Sequence, residues 1–394
     1  MRVLVISSVF VPTPVAEADH AYHTCAELVR RGIGVHVLTT ETPDCATGDE
    51  FEVMPVMPNW SWRYLPKLLR AIKTVSPDAV LLFYLPSLYG FSLMVACTGT
   101  FLKWLCPMAT FVVLFSNVGT GSGLGPVRRH IARWVGKYKY GTLLTASSTT
   151  IYLAEYHRER LLALHPALKD KLIWCPTPAL MKTSDLAPEE ARAAGRLVAQ
   201  CDEDDPLIAY FGRIYPEKGV ETLIDAFSRV AHQQPDARLL LIGGLLEGND
   251  SRLYAETLEQ KIAALDLEGK VVWTGEFDWD SDFGSRCLYA ADVCVLPFDE
   301  GVSLMSSSLS AASAHGLPIV TTRVGALESP LADERNVLAC PPREAEALAQ
   351  AILKVLADEN LRERLSTGAL DLYRSHLAWH AAANVIVTAL SAER

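Results

Sequence analysis

The fold is decided by the stretch Leu207-Ile208-Ala209-Tyr210-Phe211-Gly212-Arg213, which continues through Lys218-Gly219 to Ala226-Phe227. The apolar residues at its start predict a buried strand, and Gly212 and Pro216 predict the loop that follows. After Gly219, apolar residues recur at helical spacing. Such a loop binds anions when free N–H groups and the helix dipole point the same way as Arg213 and Lys218. The pattern predicts a diphosphate site; the alternative is a surface loop with two solvated cations.

This stretch resembles the start of the C-terminal domain in group 1 glycosyltransferases, which are retaining, nucleotide-sugar-dependent enzymes with the GT-B fold. The resemblance continues through Leu239–Gly244, Trp273–Phe277, Tyr289–Pro297 and Ala314–Thr322. It implies that Arg213 and Lys218 hold the donor diphosphate and are catalytic, and that Gly212 and Gly243 line the donor site.

A chain of 394 residues suits two domains rather than one core. Alternating apolar runs and amphipathic segments predict an α/β fold with two Rossmann-like, doubly wound domains that face a cleft. The predicted N-terminal acceptor domain spans 1–182, and the predicted C-terminal donor domain spans 183–375. A closing helix at 376–394 resembles the segment that crosses back to the N-terminal domain in the GT-B fold.

The cysteines and the N-terminus bear on the cellular compartment. Nine scattered cysteines form no CxxC pair, which is typical of reduced residues in a cytosolic protein and not of a disulfide framework or zinc site. Met1-Arg2 and the following apolar run imitate a signal peptide. We interpret the run as the first strand of the α/β domain instead, and expect a cytoplasmic protein, with the inner face of the membrane as an alternative location.

Charge is divided unevenly along the chain. Residues 1–180 contain 17 cationic and 12 acidic side chains, a net +5, whereas residues 181–394 contain 19 and 34, a net −15. Cations and tryptophans coincide at 60–75 and 128–139, which predicts peripheral contact with an anionic membrane. The alternative is that both stretches are ordinary amphipathic helices covering a sheet. No nucleic-acid partner is expected.

The N-terminal half opens as a βαβ unit, with strands at Val3–Ser8 and Gly34–Thr39 around a helix. The apolar residues 79–115 are interrupted by Pro86, Gly90 and other breakers, so we expect two buried strands and a helix instead of a membrane span. Another strand is predicted at Leu143–Ser148. The resemblance places Glu17, His20 and Asn117 on the acceptor side of the cleft, and a helix cap or surface residue is the alternative for His20.

A second group of candidate donor residues follows the predicted strand at Val293–Leu296. A serine-rich helix start there can seat a diphosphate, although capping explains the serines equally well. Relatives place two glutamates eight residues apart in this segment, at positions occupied here by Ser303 and Ala311. Glu300 is the catalytic candidate in their place, with a solvated loop acid as the alternative. The resemblance assigns further donor contacts to Glu276, Phe277, Gly301, Val302, Ser303, Ser308 and Leu309.

The resemblance implies a glycosyltransferase that moves a hexose from a nucleoside-diphosphate sugar to a glycan, lipid-linked or small-molecule hydroxyl in polysaccharide biosynthesis. A UDP-sugar is favoured and a GDP-sugar is possible. No metal site and no cofactor are predicted, because two cations can neutralise the leaving diphosphate and no suitable carboxylate pair is evident. The alternatives are a non-catalytic nucleotide-sugar-binding subunit of a glycan assembly complex and a sugar-nucleotide epimerase on the same fold.

Overall fold

The computed structural model describes residues 1–42, 50–116, 142–245, 249–278 and 280–392. The chain forms two compact units. Unit 1 contains Met1–Pro176 together with Trp379–Arg394, and unit 2 contains Thr177–Ala378. The chain therefore passes between units at 176/177 and 378/379, where the sequence analysis placed the boundaries at 182/183 and 375/376.

Unit 1 is built on a parallel sheet of seven strands in the order β3-β2-β1-β4-β5-β6-β7. The central strands β4 and β5 are buried at every residue, as expected for strands covered by helices on both faces. The strands are β1 (Arg2–Ile6), β2 (Gly34–Thr40), β3 (Glu52–Met57), β4 (Ala79–Tyr84), β5 (Thr110–Phe115), β6 (Thr149–Tyr152) and β7 (Leu172–Trp174).

The helices described in unit 1 lie between these strands, except for the last. They are α1 (Ala16–Arg30), α2 (Leu65–Val75), α3 (Leu93–Ala96), α4 (Thr98–Leu105), α5 (Glu155–Leu164) and, from the chain's end, α13 (Trp379–Ser391). Across the described residues, no helix has the length and apolar character needed to span a bilayer.

The predicted strand at Leu143–Ser148 is wrong. Residues 142–146 are helical, and the Ser147 N–H donates to the Leu143 carbonyl at 3.1 Å, as one helical turn requires. Leu143 and Leu144 are consecutive and both fully buried, which a strand exposed on one face would not allow. The strand is instead Thr149–Tyr152, a run of β-branched and aromatic residues that suits a sheet.

Unit 2 has a second parallel sheet, of six strands in the order β10-β9-β8-β11-β12-β13. Its strands are β8 (Leu207–Phe211), β9 (Arg238–Ile242), β10 (Val271–Trp273), β11 (Val293–Leu296), β12 (Ile319–Thr322) and β13 (Leu338–Cys340). Its helices are α6 (Pro188–Ala199), α7 (Val220–Gln233), α8 (Asn249–Ala264), α9 (Phe283–Ala290), α10 (Ser307–Ala314), α11 (Ala345–Ala357) and α12 (Glu359–Leu372). The two parallel sheets with flanking helices confirm the predicted α/β class and its two doubly wound domains.

The order of strands in unit 2 reverses between β8 and β11. From β8 the chain passes to β9 on one side, and the later strand β11 pairs with β8 on the other, with Val293 opposite Ile208. Loops that leave the carboxyl ends of strands at such a reversal diverge and leave a crevice where ligands bind. The two predicted donor segments are these two loops, after β8 and after β11.

The closing helix α13 belongs to unit 1. The Arg31 guanidinium of unit 1 donates to the Asn384 amide oxygen at 2.6 Å and to the His380 carbonyl at 3.1 Å. The Trp379 ring lies against His20 of α1, with centroids 5.7 Å apart. These contacts fix the end of the chain on α1.

Candidate functional site

The loop after β8 begins at Gly212, where the end of the strand meets helix α10. Gly212 has φ +139°, and a Cβ there would lie 2.6 Å from the Ser308 hydroxyl oxygen. Its N–H donates to the Ile242 carbonyl of β9 at 3.0 Å. Glycine therefore lets the backbone before Arg213 pass directly against the start of α10.

Arg213 is held by both its backbone and its side chain. Its carbonyl accepts a hydrogen bond from the Tyr210 hydroxyl at 2.8 Å. Its guanidinium donates to the Leu245 carbonyl at 3.1 Å and to a Glu276 carboxylate oxygen at 3.2 Å. A guanidinium has five N–H donors, so Arg213 retains donors for an anion while these contacts orient its plane.

Lys218 lies between two aromatic rings. Its ammonium nitrogen is 4.6 Å from the centre of the Phe298 ring and 5.2 Å from that of Tyr215. Burial lowers the pKa of Lys218 to about 8, and Glu217 opposes that shift. Within the described parts of the chain, no carboxylate forms a salt bridge with this ammonium. Lys218 is thus a partly desolvated cation that forms no salt bridge with a described carboxylate, and an anion bound beside it would relieve the cost of desolvation.

The loops after β8 and β11 are in contact at Gly219. This residue has φ +70°, and a Cβ would lie 2.0 Å from the Pro297 carbonyl oxygen. The Asp299 N–H donates to the Glu217 carbonyl at 3.2 Å. Helix α7 begins at the next residue, Val220, so its positive end lies beside Lys218.

The loop after β11 carries Glu300 and the following Gly301, Val302 and Ser303. Glu300 is exposed to solvent. The Val302 N–H donates to the Thr322 carbonyl at 2.8 Å, and the Ser303 hydroxyl accepts from the Met305 N–H at 3.2 Å. These bonds hold the loop in place and leave the Glu300 carboxylate at its exposed end.

Helix α10 begins immediately after this loop. The helix start contains Ser306, Ser307 and Ser308. The Ser306 hydroxyl accepts a hydrogen bond from the Leu309 N–H at 3.3 Å and is the helix cap, so one of these three serines has the capping role. Ser308 is 5% exposed and lies against Gly212, and Leu309 is fully buried. The first turn of α10 therefore packs against the end of β8 at Gly212.

Gly243 and Phe277 support the site from the neighbouring strands. The Gly243 N–H donates to the Thr274 hydroxyl at 3.2 Å, and its carbonyl accepts from the Trp273 indole at 2.8 Å. The Phe277 ring packs 5.6 Å from that of Phe283. Gly243 therefore joins the ends of β9 and β10, and Phe277 packs against the start of α9.

Two of the predicted acceptor-side residues lie in unit 1. Glu17 is in the first turn of α1, and burial raises its pKa. His20 is 5% exposed between the rings of Phe83 and Trp379, and burial lowers its pKa to about 3. His20 is therefore a neutral, buried imidazole. Asn117 and the stretch 128–139 lie outside the described residues.

In unit 2 the structure brings most of the predicted residues to one place. Arg213 contacts Glu276, Lys218 contacts the β11 loop, and Gly212 contacts Ser308. Across the described ranges, no three His, Cys, Asp or Glu side chains cluster as ligands for a metal ion.

Sequence reasoning missed three contributors. The rings of Tyr215 and Phe298 flank Lys218, and they come from different loops. The Glu328 carboxylate, from the loop after β12, accepts the Leu304 N–H at 3.2 Å. Tyr215 stands three positions before Lys218, which was a weak local signal that its ring belongs to the site. Nothing local in the sequence connects Glu328 or Phe298 with the site.

Residues 205–358 match the model of the family described as Glycosyl transferases group 1. The match starts at β8 and covers both loops of the site. The match covers 154 of the 394 residues, which is less than half of the chain. Residues 205–358 therefore resemble a group 1 glycosyltransferase domain, in agreement with the resemblance seen in the sequence.

Curated relatives match over part of the chain. Mannosylfructose-phosphate synthase of Agrobacterium fabrum is 32% identical over 180 residues, which are 44% of this chain and 37% of that protein. The lipopolysaccharide core biosynthesis glycosyltransferase LpsE of Rhizobium meliloti is 29% identical over 208 residues, 49% of this chain and 56% of that protein. The chain thus matches about half the length of these relatives or less.

Solved structures match over the whole chain. Sucrose-phosphate synthase of Thermosynechococcus elongatus has a TM-score of 0.72 at 19% identity and covers 98% of both chains. Anabaena HepE, solved with UDP-glucose, has a TM-score of 0.70 at 16% identity and covers 100% of both chains. At these identities the likeness shows the GT-B fold.

Proposed function

We propose that this protein is a glycosyltransferase whose donor is a nucleoside-diphosphate sugar. The observation that carries the proposal is Lys218, a partly buried ammonium with a pKa of about 8 and no carboxylate partner among the described residues. It lies at the start of α7, where the strand order reverses, in the same loop as Arg213. A diphosphate supplies the negative charge that this arrangement lacks.

The proposed reaction uses these cations on the leaving group. The bond between the sugar's anomeric carbon and the diphosphate oxygen breaks, and a bond from that carbon to the acceptor oxygen forms. The acceptor hydroxyl loses its proton, which a phosphate oxygen of the departing diphosphate can accept. Negative charge on the diphosphate is greatest in the transition state, so fixed cations stabilise it more than the ground state and accelerate transfer. We propose retention of configuration, with the acceptor on the leaving-group face.

The donor specificity is proposed from the loop after β10. Glu276 and Phe277 follow the strand that borders the site, and we assign this loop to the nucleoside. HepE, a protein of the same fold, was solved with UDP-glucose. A UDP-hexose is therefore our first choice of donor and a GDP-sugar the second, with a glycan, lipid-linked or small-molecule hydroxyl as acceptor.

We also propose transfer without a metal or cofactor, because Arg213 and Lys218 can neutralise the diphosphate themselves. The eight described cysteines are all free, which supports a reducing, cytoplasmic location.

A non-catalytic nucleotide-sugar-binding subunit is the second candidate. It is favoured by Ser303 and Ala311, which are not acids and of which Ala311 is fully buried. Such a subunit would bind the donor through Arg213 and Lys218 and never release the nucleoside diphosphate.

Two measurements on the purified protein test the proposal. Thermal unfolding with UDP-, GDP- and ADP-sugars identifies the donor, because a ligand that binds only the folded state raises the midpoint. Release of nucleoside diphosphate from that donor, with acceptor extracts added, then separates the two candidates. Stabilisation with release supports the transferase, stabilisation without release under any acceptor supports the binding subunit, and no stabilisation by any of the donors contradicts both.

A further inference from the structure

One face of unit 1 exposes large apolar side chains. Trp62 is 52% exposed, Leu93 52%, Trp104 78% and Met108 89%. Removing large apolar side chains from water is favourable, and a cluster of exposed apolar side chains marks an interaction site.

Contacts within unit 1 join the segments that carry these residues. The Trp62 ring meets Phe101 edge-on, with centroids 6.3 Å apart, and Phe101 and Trp104 are three residues apart on α4. The Ser92 hydroxyl, next to Leu93, donates to the Trp60 carbonyl. Met108 follows in the turn after α4.

Cations accompany the apolar residues. Residues 53–109 contain five cations and a single acid, Asp78. Lys67 is paired with Glu41 at 3.0 Å, but four cations are exposed and form no salt bridge with any described residue; they are Arg63, Arg70, Lys73 and Lys103. On α2, Arg70 and Lys73 lie opposite the buried Leu68 and Ile72.

We propose that this surface, the Trp62 face (Trp62, Arg63, Arg70, Lys73, Leu93, Lys103, Trp104 and Met108), docks on a bilayer that contains anionic phospholipids. The cations attract the headgroups, and the apolar side chains enter the boundary with the acyl chains, where tryptophan is favoured. Charge alone would fit any polyanion. The exposed Leu93 and Met108 favour a bilayer, because phosphates in water offer no apolar phase. This inference does not depend on the donor site.

The test is co-sedimentation of the full chain with vesicles of phosphatidylcholine alone or mixed with phosphatidylglycerol, at low and high salt. The charge variant is Arg70→Gln with Lys73→Gln, and its control is Lys169→Gln with Lys182→Gln, two exposed lysines elsewhere. The apolar variant is Trp104→Ser with Met108→Ser, and its control is Leu197→Ser with Leu253→Ser, two exposed leucines of unit 2.

We expect the parent chain to sediment with the anionic vesicles at low salt and much less with the neutral ones. Each cation near an anionic surface is worth roughly fivefold in binding, so the charge variant should bind more than tenfold more weakly. The apolar variant should lose the binding that remains at high salt. Both controls should match the parent chain.

Three outcomes would overturn the proposal. One is equal, negligible sedimentation with both kinds of vesicle at low salt. Another is an equal loss of binding in the variants and their controls. The third is a dimer in sedimentation velocity that the apolar variant dissociates, since the face would then bind a second copy of the chain.

Discussion

Arg213 and Glu276 form a salt bridge at the edge of the candidate donor site, with a guanidinium nitrogen 3.2 Å from a carboxylate oxygen. The Arg213 side chain is 29% exposed and that of Glu276 is 56% exposed, so the pair lies at the solvent boundary. Exposed pairs of this kind contribute little to stability. The bridge therefore orients the guanidinium and can give way to a stronger anion.

We expect Glu276→Gln to increase affinity for inorganic pyrophosphate by up to about fivefold, because an exposed bridge is worth at most about 1 kcal/mol. The amide keeps the size of the side chain but no longer competes for Arg213. Isothermal titration checks this. Weaker pyrophosphate binding in the variant would show that Glu276 assists the anion instead of competing with it.

Removing either cation should abolish most transfer. We expect Arg213→Ala and Lys218→Ala each to lower kcat/KM about hundredfold or more, corresponding to about 3 kcal/mol in the barrier. The thermal midpoint should change little. Arg229→Ala is the matched control, because Arg229 also pairs with an exposed glutamate, Glu346 at 2.8 Å, but on the outer face of α7. Near-normal turnover of either site variant at saturating donor would refute the assignment.

Donor affinity should depend on the charge of Lys218. Its pKa is lowered from 10.5 to about 8, so the free protein loses this cation as pH rises through about 8. We expect kcat/KM for the donor to fall above that pH. Lys218→Arg, which stays charged, should move the decline to higher pH. An identical decline in the variant would assign it to another group.

The lowered pKa of Lys218 also makes the stability of the folded chain depend on pH. Stability should rise with pH, whereas kcat/KM for the donor should fall. Between about pH 8 and 10.5, the unfolded chain holds a proton on Lys218 that the folded chain has released. The Lys218 contribution to the free energy of unfolding therefore rises with pH across this window. Comparing the thermal midpoints of the parent chain and Lys218→Met across these pH values checks the sign.

We expect a substitution at Gly219 to destabilise the fold by more than the strain of its positive φ angle alone. We expect Gly219→Ala to lower the thermal midpoint and to weaken donor binding, because the new Cβ would lie 2.0 Å from the Pro297 carbonyl oxygen beside Lys218. Gly269→Ala is the control, since Gly269 has φ +77° with no atom within 4 Å of the new Cβ. The control should cost about 1–2 kcal/mol of backbone strain. Equal effects of the two changes would remove the argument from close packing.

EDTA should leave the transfer rate unchanged, because two cations of the chain neutralise the leaving diphosphate in the proposed reaction. The measurement is release of nucleoside diphosphate before and after treatment with chelator. A large loss that magnesium or manganese restores would contradict the proposal.

The local pattern of apolar residues predicted most strands of the two sheets. The strand Val293–Leu296 has the predicted bounds, and the two buried strands expected within 79–115 are Ala79–Tyr84 and Thr110–Phe115, because a fully buried parallel strand is a continuous apolar run. The error at Leu143–Ser148 has the same origin, since a short apolar run does not distinguish a buried strand from a buried helix. The short strands β3 and β13 were missed because they lie at or beside sheet edges, where the apolar signal is weak.

The sequence by itself determined the two-domain α/β class, the loop with Arg213 and Lys218, and the cationic stretch at 60–75. Each depends on residues adjacent in the chain, so spacing and composition suffice to detect it. Only the tertiary structure placed Phe298 beside Lys218, Glu276 beside Arg213 and Phe101 beside Trp62. The members of each pair are far apart in the sequence, and the packing of whole strands and helices decides which loops and side chains meet. Desolvation of Lys218 follows from that packing, and no local pattern in the chain encodes it.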